Sequence, residues 1–168
     1  MQRALATLTL LSHNKTKNSE TTMSLLFSRQ CEYAIQGVLY LALKPEWEMT
    51  SIKELTKRLD IPYHFLAKIL QRLANTGLLT SAKGPAGGFA LGKQPKDITL
   101  YDIVVAIDGD DFMHKCVLGF PECSGRNPCS VHSKWGPMRD EIYQMLVGKN
   151  IAEMAREMKK PEYRAAMS

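Results

Sequence analysis

Apolar residues recur at the spacing of amphipathic helices along most of the chain after residue 28. The first predicted helix covers residues 28–43, because Ser28 can cap its N-terminus and Lys44-Pro45 cannot continue it. Its apolar face consists of Ala34, Ile35, Val38, Leu39 and Ala42. Such a face predicts a helix that packs on a core along one side.

Two further helices joined by a tight turn are predicted next. Ser51 and Glu54 have the spacing of a capping box and start the first of them, with Ile52, Leu55 and Leu59 facing inward. The turn at 60–62 leads into a helix at 62–75. Its apolar face consists of Leu66, Ile69, Leu70 and Leu73. This arrangement predicts a helix-turn-helix, whose second helix enters the major groove of DNA.

A glycine-rich hairpin follows the two helices. Residues 78–81 and 89–91 are predicted as short strands, and the turn at 83–88 reads KGPAGG. The turn lacks the GxxxxGK[ST] pattern, so it does not indicate a nucleotide-phosphate loop. Its glycines permit a tight hairpin and a close approach of the backbone to DNA phosphate. The sequence therefore predicts a mostly α fold with a small β-hairpin wing, a winged helix-turn-helix.

The first residues of the chain differ in character from the rest. Residues 4–11 are a brief apolar run, and the polar stretch after it has no small-x-small cleavage site. A signal peptide is therefore disfavoured. We predict that residues 1–22 are a disordered extension and that Met23 opens the functional protein.

Three parts are predicted after this extension. Residues 23–107 form the winged helix-turn-helix DNA-binding domain, called the head below, and residues 108–135 form a cysteine-rich loop. Residues 136–168 carry the C-terminal helices, the first starting at Gly136-Pro137 and the second capped by Asn150. The cysteine-rich loop thus lies between two helical regions.

Basic side chains are concentrated in the predicted DNA-binding domain. Between residues 50 and 96, eight Lys and Arg stand against two Asp and Glu, an excess of six, whereas the whole chain has a net charge of only +5. Such an asymmetry is typical of a face that binds nucleic acid. We therefore predict double-stranded DNA as a partner.

Three of the four cysteines, Cys116, Cys123 and Cys129, lie in one short loop, and His132 follows them. Thiolates are the usual ligands of iron-sulfur clusters, and three Cys with one His also form a common zinc site. Gaps of six and five residues favour a cluster, because structural zinc sites usually begin with a closer cysteine pair. A metal-free thiol-disulfide switch is the third alternative.

The order of these features resembles one family of regulators. The wing reads KGPAGGFAL at 83–91, ITLYDIV follows at 98–104, and Trp135 follows the cysteine loop. This order resembles the winged-helix family that includes the iron-sulfur cluster assembly regulator (IscR) and the nitric-oxide-sensitive repressor (NsrR). The resemblance implies a homodimer on a partly palindromic operator, with 62–75 as recognition helix and the helix after the loop pairing the subunits. It also implies that the loop cysteines hold a 2Fe-2S or 4Fe-4S cluster whose state changes DNA binding.

A cluster held by three cysteines lacks one ligand, and two residues compete to supply it. His132 follows Cys129 in the same loop, as in the assembly-regulator branch of the family. Glu32 matches the acidic residue that reaches the cluster in the nitric-oxide-sensing branch. We favour His132, because the loop alone can place it. The family usually has five residues in the first cysteine gap rather than six, and a third glycine where Ala86 stands.

The predicted DNA contacts are polar and glycine residues of the head. His64 and Lys68 lie four residues apart and early in the recognition helix, where side chains reach base edges. Gln71 and Arg72 can instead reach phosphate, and Tyr63 is a further polar side chain off the apolar face. The other predicted contacts are Arg29, Lys83, Gly84, Gly87 and Gly88.

Other classes of function fit the sequence less well. No apolar run approaches the ~20 residues needed to cross a bilayer, so we predict a soluble protein. The hypothesis of a transcription regulator places it in the cytoplasm. The chain has no paired carboxylates, nucleophile elbow or nucleotide loop, so we do not expect an enzyme. A small electron-transfer protein would use the cysteine loop but would not need a basic helix-turn-helix with a wing.

Overall fold

The structure is a computed structural model that describes residues 26–158 of the 168-residue chain. The predictions for residues 1–22, for Met23 and for the last ten residues lie outside the described residues. The helices and strands are α1 Arg29–Ala42, α2 Ile52–Leu59, α3 Tyr63–Asn75, β1 Leu79–Ala82, β2 Gly88–Leu91, α4 Leu100–Asp108, α5 His132–Val147 and α6 Ile151–Met158. The predicted mostly α fold with a β-hairpin wing is confirmed.

Helix α1 lies at the centre of the core. Ser28 caps it, because the Ser28 Oγ accepts a hydrogen bond from the backbone N–H of Cys31 at 3.1 Å. The helix packs against α3, α4 and α6. Side chains that are fully or almost fully buried in this core include Val38, Leu66, Leu70, Ile103 and Ile151. Burying each such side chain contributes about 1.5–3 kcal/mol, so this core holds helices α1, α3 and α4 to the last helix.

The turn between α2 and α3 differs in one detail from the sequence prediction. The Ser51 Oγ accepts from the Glu54 N–H at 3.2 Å, as in a capping box. The Glu54 carboxylate, however, accepts from the Tyr40 hydroxyl at 2.8 Å and from the Lys44 Nζ at 2.6 Å instead of returning to Ser51. A charged partner makes a stronger hydrogen bond than a backbone amide, so only half of the predicted box forms.

The wing is a two-stranded antiparallel hairpin that is joined to the segment before α2. Leu79 pairs with Leu91, and Ala82 pairs with Gly88. Thr50 exchanges two backbone hydrogen bonds with Phe89, each 2.9 Å long. A Cβ atom at Gly88 would lie 2.2 Å from the Thr50 carbonyl oxygen, so only glycine permits this contact.

Helix α5 begins at His132, four residues before the predicted start at Gly136. The backbone N–H of Trp135 donates to the Val131 carbonyl at 2.8 Å and forms the first turn. Pro137 therefore lies inside the helix rather than at its first position. At 16 residues α5 is the longest described helix, and within residues 26–158 no helix is long and apolar enough to cross a membrane.

Helix α6 returns to the head, and its predicted cap is present. The Glu153 N–H donates to the Asn150 Oδ1 at 2.9 Å, and the Asn150 N–H donates to the Glu153 Oε2 at 3.3 Å. The Ile151 N–H also donates to the Ile98 carbonyl at 2.8 Å. The chain therefore leaves the head after α4, forms the cysteine loop and α5, and returns to pack on α1.

Candidate metal centre and nucleic-acid interface

The sulfur atoms of Cys116, Cys123 and Cys129 all lie within 4.8 Å of one another. The shortest measured separation, from the Cys116 Sγ to the Cys129 Sγ, is 3.6 Å. All three side chains are half-buried. The fold thus brings together three soft donor atoms that are spread over 14 residues of sequence.

Tight turns give the cysteine loop its shape. Gly119 has a φ of 75°, and its N–H donates to the Cys116 carbonyl at 2.9 Å. Ser124 and Asn127 exchange two backbone hydrogen bonds of 3.1 Å, which turns the chain between Cys123 and Cys129. The Trp135 Nε1 donates to the carbonyl of Lys115 at 3.3 Å, so the first turn of α5 holds the start of the loop.

The two candidate fourth ligands lie in different places. The His132 Nδ1 is 3.3 Å from the Cys123 Sγ, in the first turn of α5. The Glu32 carboxylate pairs with the Arg29 guanidinium at 3.0 Å in the first turn of α1. Among the described residues only the three cysteines form a group within 4.8 Å, so neither candidate completes it. His132 contacts one member of the group, Cys123, whereas Glu32 is paired with Arg29 in α1.

The three thiols have unequal electrostatic surroundings. Burial tends to raise the pKa of Cys116, but hydrogen bonds from the backbone at Leu118 and Phe120 and from the neighbouring thiols lower it overall. For Cys123 the hydrogen bond from the Cys129 backbone lowers the pKa, but burial and the other two thiols outweigh it and raise the pKa. Cys116 therefore loses its proton before Cys123.

Cys31, the fourth cysteine, belongs to the core and not to the loop. It is fully buried, and burial, together with the nearby Asp108 carboxylate, raises its pKa to about 12. In this environment Cys31 is a small apolar residue of the core.

Alkylation of the metal-free protein should separate these thiols. We expect iodoacetamide at neutral pH to modify Cys116 first and Cys31 at least about a thousandfold more slowly, because each pKa unit changes the thiolate fraction tenfold. Mass spectrometry of tryptic peptides over time measures both rates. Denatured protein is the control, in which Cys31 should react freely. Rapid modification of Cys31 in the native protein would contradict its burial in the core.

The predicted recognition helix presents its polar side chains to solvent. Its predicted contacts are all exposed, namely Tyr63, His64, Lys68, Gln71 and Arg72. Phe65, which was not among the predicted contacts, is 58% exposed beside them. A large apolar side chain exposed on a recognition helix can contact the methyl group of thymine.

A cleft of about 460 Å³ separates the recognition helix from the wing. It is lined by Gln71 of α3, by Lys83 and the wing glycines, and by Ser51 and Lys53 at the start of α2. Ser51 and Lys53 were not predicted as contacts. The predicted cap at Ser51 could have indicated these two contacts, because the first N–H groups of a helix face outward and attract phosphate.

A second cleft lies between the recognition helix and the start of α1. Lys68, Arg72 and Asn75 line it together with Gln30 at the start of α1, which was not a predicted contact. Arg29, the predicted phosphate contact beside Gln30, pairs with Glu32 and lies over the Tyr33 ring at 5.3 Å. The start of α1 therefore forms part of the basic face.

Large apolar side chains remain exposed on the cysteine loop and on α5. Met138 and Met145 of α5 are about half exposed, as are Val117, Leu118 and Phe120 of the loop. Monomeric proteins seldom expose several large apolar side chains in one region without a binding role. This region is the candidate surface for pairing two subunits.

Comparison with known proteins identifies regulators of transcription. The profile of the Rrf2 family, described as iron-dependent transcriptional regulators, matches residues 27–157. A predicted HTH-type transcriptional regulator of Aquifex aeolicus is 36% identical over 133 residues, or 77% of this chain and 91% of that protein. The HTH-type transcriptional regulator IscR of Photorhabdus laumondii is 28% identical over 122 residues, or 73% of this chain and 74% of that protein.

Solved structures share the fold. CymR (YrzC), the global cysteine regulator of B. subtilis, has a TM-score of 0.66 at 25% identity, covering 80% of this chain and 98% of that one. IscR of T. potens has a TM-score of 0.63 at 24% identity, covering 87% and 94%, and supports the fold alone. The family resemblance predicted from the sequence is confirmed. Since residues 27–157 match its profile, the chain belongs to the Rrf2 family of iron-dependent transcriptional regulators.

Proposed function

We propose that this chain is a cytoplasmic, homodimeric regulator that binds a partly palindromic DNA operator and senses redox state, nitric oxide or iron-sulfur supply through its cysteine loop. One observation carries the proposal. The same chain combines a winged helix-turn-helix that has a basic face with three thiols that lie within 4.8 Å of one another. Membership of a family of transcriptional regulators supports this function over a small electron-transfer protein.

DNA recognition is proposed for the exposed face of α3 and its two flanking clefts. His64 and Lys68 lie on the exposed side of the first two turns of α3, which supports contacts to base edges. Gln71 and Arg72 line the clefts, which supports contacts to phosphate. Further base or phosphate contacts are proposed for Tyr63, Arg29, Lys83, Gly84, Gly87 and Gly88.

The donor atoms of the loop fit an iron-sulfur cluster of the 2Fe-2S or 4Fe-4S type. Cys116, Cys123 and Cys129 would hold it as thiolates. His132 is the preferred fourth ligand because it adjoins Cys123, and Glu32 is the alternative. When bound, a cluster supplies iron whose oxidation state and integrity respond to oxidants, nitric oxide and iron supply.

Pairing of two subunits is proposed for α5. Its exposed Met138 and Met145 form an apolar surface that a second copy of the chain can cover. Another side of α5 is held by its own chain, because Leu146 is fully buried and the Tyr143 ring packs edge-on against Tyr101 at 5.3 Å. A helix fixed on one side and exposed on the other suits a symmetric interface.

The position of the loop supports a means of regulation. It connects α4, in the DNA-binding head, to α5, the proposed pairing helix. Ligation of the cysteines orders this connection and thereby favours one spacing of the two heads. Only heads about 34 Å apart can enter successive major grooves on one face of DNA. The state of the loop would then shift the population that binds the operator.

Two other uses of the thiols are alternatives. Zn–S bonds of about 2.3 Å at tetrahedral angles place sulfurs about 3.8 Å apart, close to the separation of Cys116 and Cys129. Without metal, the same proximity favours a disulfide between these two residues. The wide gaps between the cysteines and the iron dependence of the family favour the cluster.

The test of the cofactor is an absorption spectrum of anaerobically purified protein together with iron, sulfide and zinc analysis. We expect visible charge-transfer bands with matching iron and sulfide. Stoichiometric zinc, or free thiols without metal, would overturn the cluster and establish one of the alternatives. A DNA affinity that is equal with and without the cluster, at fixed salt, would contradict the sensing role.

The test of the DNA-binding face is substitution of Lys68. Lys68→Ala should weaken binding to a duplex enriched by the wild-type protein about tenfold, because a base-edge or phosphate contact contributes about 1–3 kcal/mol. Electrophoretic shift or anisotropy at fixed salt measures this change. Lys134→Ala, which removes an exposed lysine from α5, is the matched control and should leave the affinity unchanged. Equal loss in both variants would argue against α3 as the recognition helix.

A further inference from the structure

The end of α4 is tied to the start of α1 across 80 residues of sequence. The Asp108 carboxylate accepts the Ser28 backbone N–H at 2.9 Å and the Ser28 hydroxyl at 2.5 Å. The same hydroxyl oxygen accepts from the Cys31 N–H at 3.1 Å, as the cap of α1. One serine side chain therefore serves both the cap and the long-range contact, and the carboxylate lies at the positive end of the α1 dipole.

Asp108 occupies the junction between the head and the cysteine loop. It is the last residue of α4, and Gly109 follows with a φ of 82°, which turns the chain out of the helix. The next two carboxylates pair within the loop segment, Asp110 with His114 and Asp111 with Lys115. Residues 108–111 contain three aspartates. Within the described part of the chain, Asp108 is the one among them whose carboxylate bonds to the start of α1.

Ser28 stands at the edge of the proposed DNA-binding face. Two residues after it, Gln30 lines the cleft beside α3 together with Lys68 and Arg72. The first turn of α1 depends on its cap, because the first N–H groups of a helix have no partner within the helix. A change at Ser28 therefore changes the wall of this cleft.

We propose that Asp108 is a positioning residue that transmits the state of the cysteine loop to the DNA-binding face through Ser28. Reordering of the loop, on gain or loss of its metal, moves the chain at Gly109 and with it the Asp108 carboxylate. The carboxylate then holds or releases Ser28, and the first turn of α1 is fixed or frays. This inference rests on the proposed function, because it needs a loop whose state changes.

The contact itself is tested by hydrogen exchange without any metal. Asp108→Asn replaces one carboxylate oxygen by an NH₂ group, so the side chain can no longer accept both hydrogen bonds from Ser28. We expect amide exchange at Ser28 and Cys31 to accelerate about tenfold, as for the loss of one charged hydrogen bond. Asp111→Asn is the matched control, with the same chemical change in a residue whose carboxylate pairs with Lys115. Unchanged exchange in Asp108→Asn would overturn the proposal.

The transmission is tested by comparing DNA affinity in two states. The probe is a duplex enriched by metal-loaded wild-type protein, and its Kd is measured before and after chelation for the wild type and both variants. We expect the ratio of the two Kd values to persist in Asp111→Asn and to fall to about one in Asp108→Asn, with equal iron content. A wild-type ratio in Asp108→Asn overturns the inference alone. A ratio of one in the wild type overturns the sensing function and, with it, the inference.

Discussion

Replacing Cys116 by alanine is expected to abolish metal binding in the loop and leave the head folded. Iron and visible absorption should fall to background, because two thiolates with His132 supply too few ligands for a cluster. Cys116 is half-buried in a loop outside the core, so the free energy of unfolding of the metal-free protein should change by less than about 0.5 kcal/mol. Metal analysis and thermal unfolding measure the two effects.

The matched control for this substitution is Cys31→Ala. It makes the same chemical change at a cysteine that is fully buried in the core and does not belong to the thiol cluster. It should keep the metal and lower the free energy of unfolding by about 1 kcal/mol. A Cys116→Ala protein with full iron content, or a Cys31→Ala protein without iron, would contradict the assignment of the cluster to the loop.

Replacing Gly88 by alanine is expected to disrupt the wing. The new Cβ would lie 2.2 Å from the Thr50 carbonyl oxygen and 3.0 Å from the Ser51 nitrogen, and both are backbone atoms that cannot move aside freely. The two hydrogen bonds between Thr50 and Phe89 would break. We expect the free energy of unfolding to fall by about 3 kcal/mol, at the upper end of overpacking effects. Denaturant unfolding measures this loss, and DNA affinity should fall with it.

Gly136→Ala is the matched control for the wing substitution. Gly136 lies in helix α5, and a Cβ there meets no atom within 4 Å. Alanine should therefore keep stability unchanged or raise it by up to about 1 kcal/mol, because alanine favours a helix more than glycine does. If Gly88→Ala were as stable as Gly136→Ala, the close approach of the wing to Thr50 would be wrong.

Local patterns were sufficient to predict the helices and the wing. The cap of α1 at Ser28 and the cap of α6 at Asn150 depend on residues within one turn, so their spacing in the sequence indicates them directly. The wing follows from its glycines, which alone allow the backbone contact at Gly88. The start of α5 was predicted wrongly at Gly136, because Pro137 suggested a helix start and the turn that Val131 and Trp135 form carries no sequence signature.

The candidate site was predicted in composition but not in arrangement. The sequence indicated the three loop cysteines and His132, since soft ligands in one loop suit a metal. It did not indicate that the Cys116 Sγ lies nearest the Cys129 Sγ, or that the His132 Nδ1 adjoins the Cys123 Sγ. Those distances depend on the turns at Gly119 and at 124–127 and on the contact of Trp135 with Lys115, all of which must form at once.

By itself, the sequence determined the fold class, the basic head, the cysteine loop and the family, because periodicity, caps and motif order act over short stretches of chain. The tertiary structure alone decided which polar groups meet across long separations. Glu54 bonds to Tyr40 and Lys44 rather than completing its box, and Asp108 bonds to Ser28. Such contacts form only after the core has brought distant helix ends together, so no local pattern encodes them.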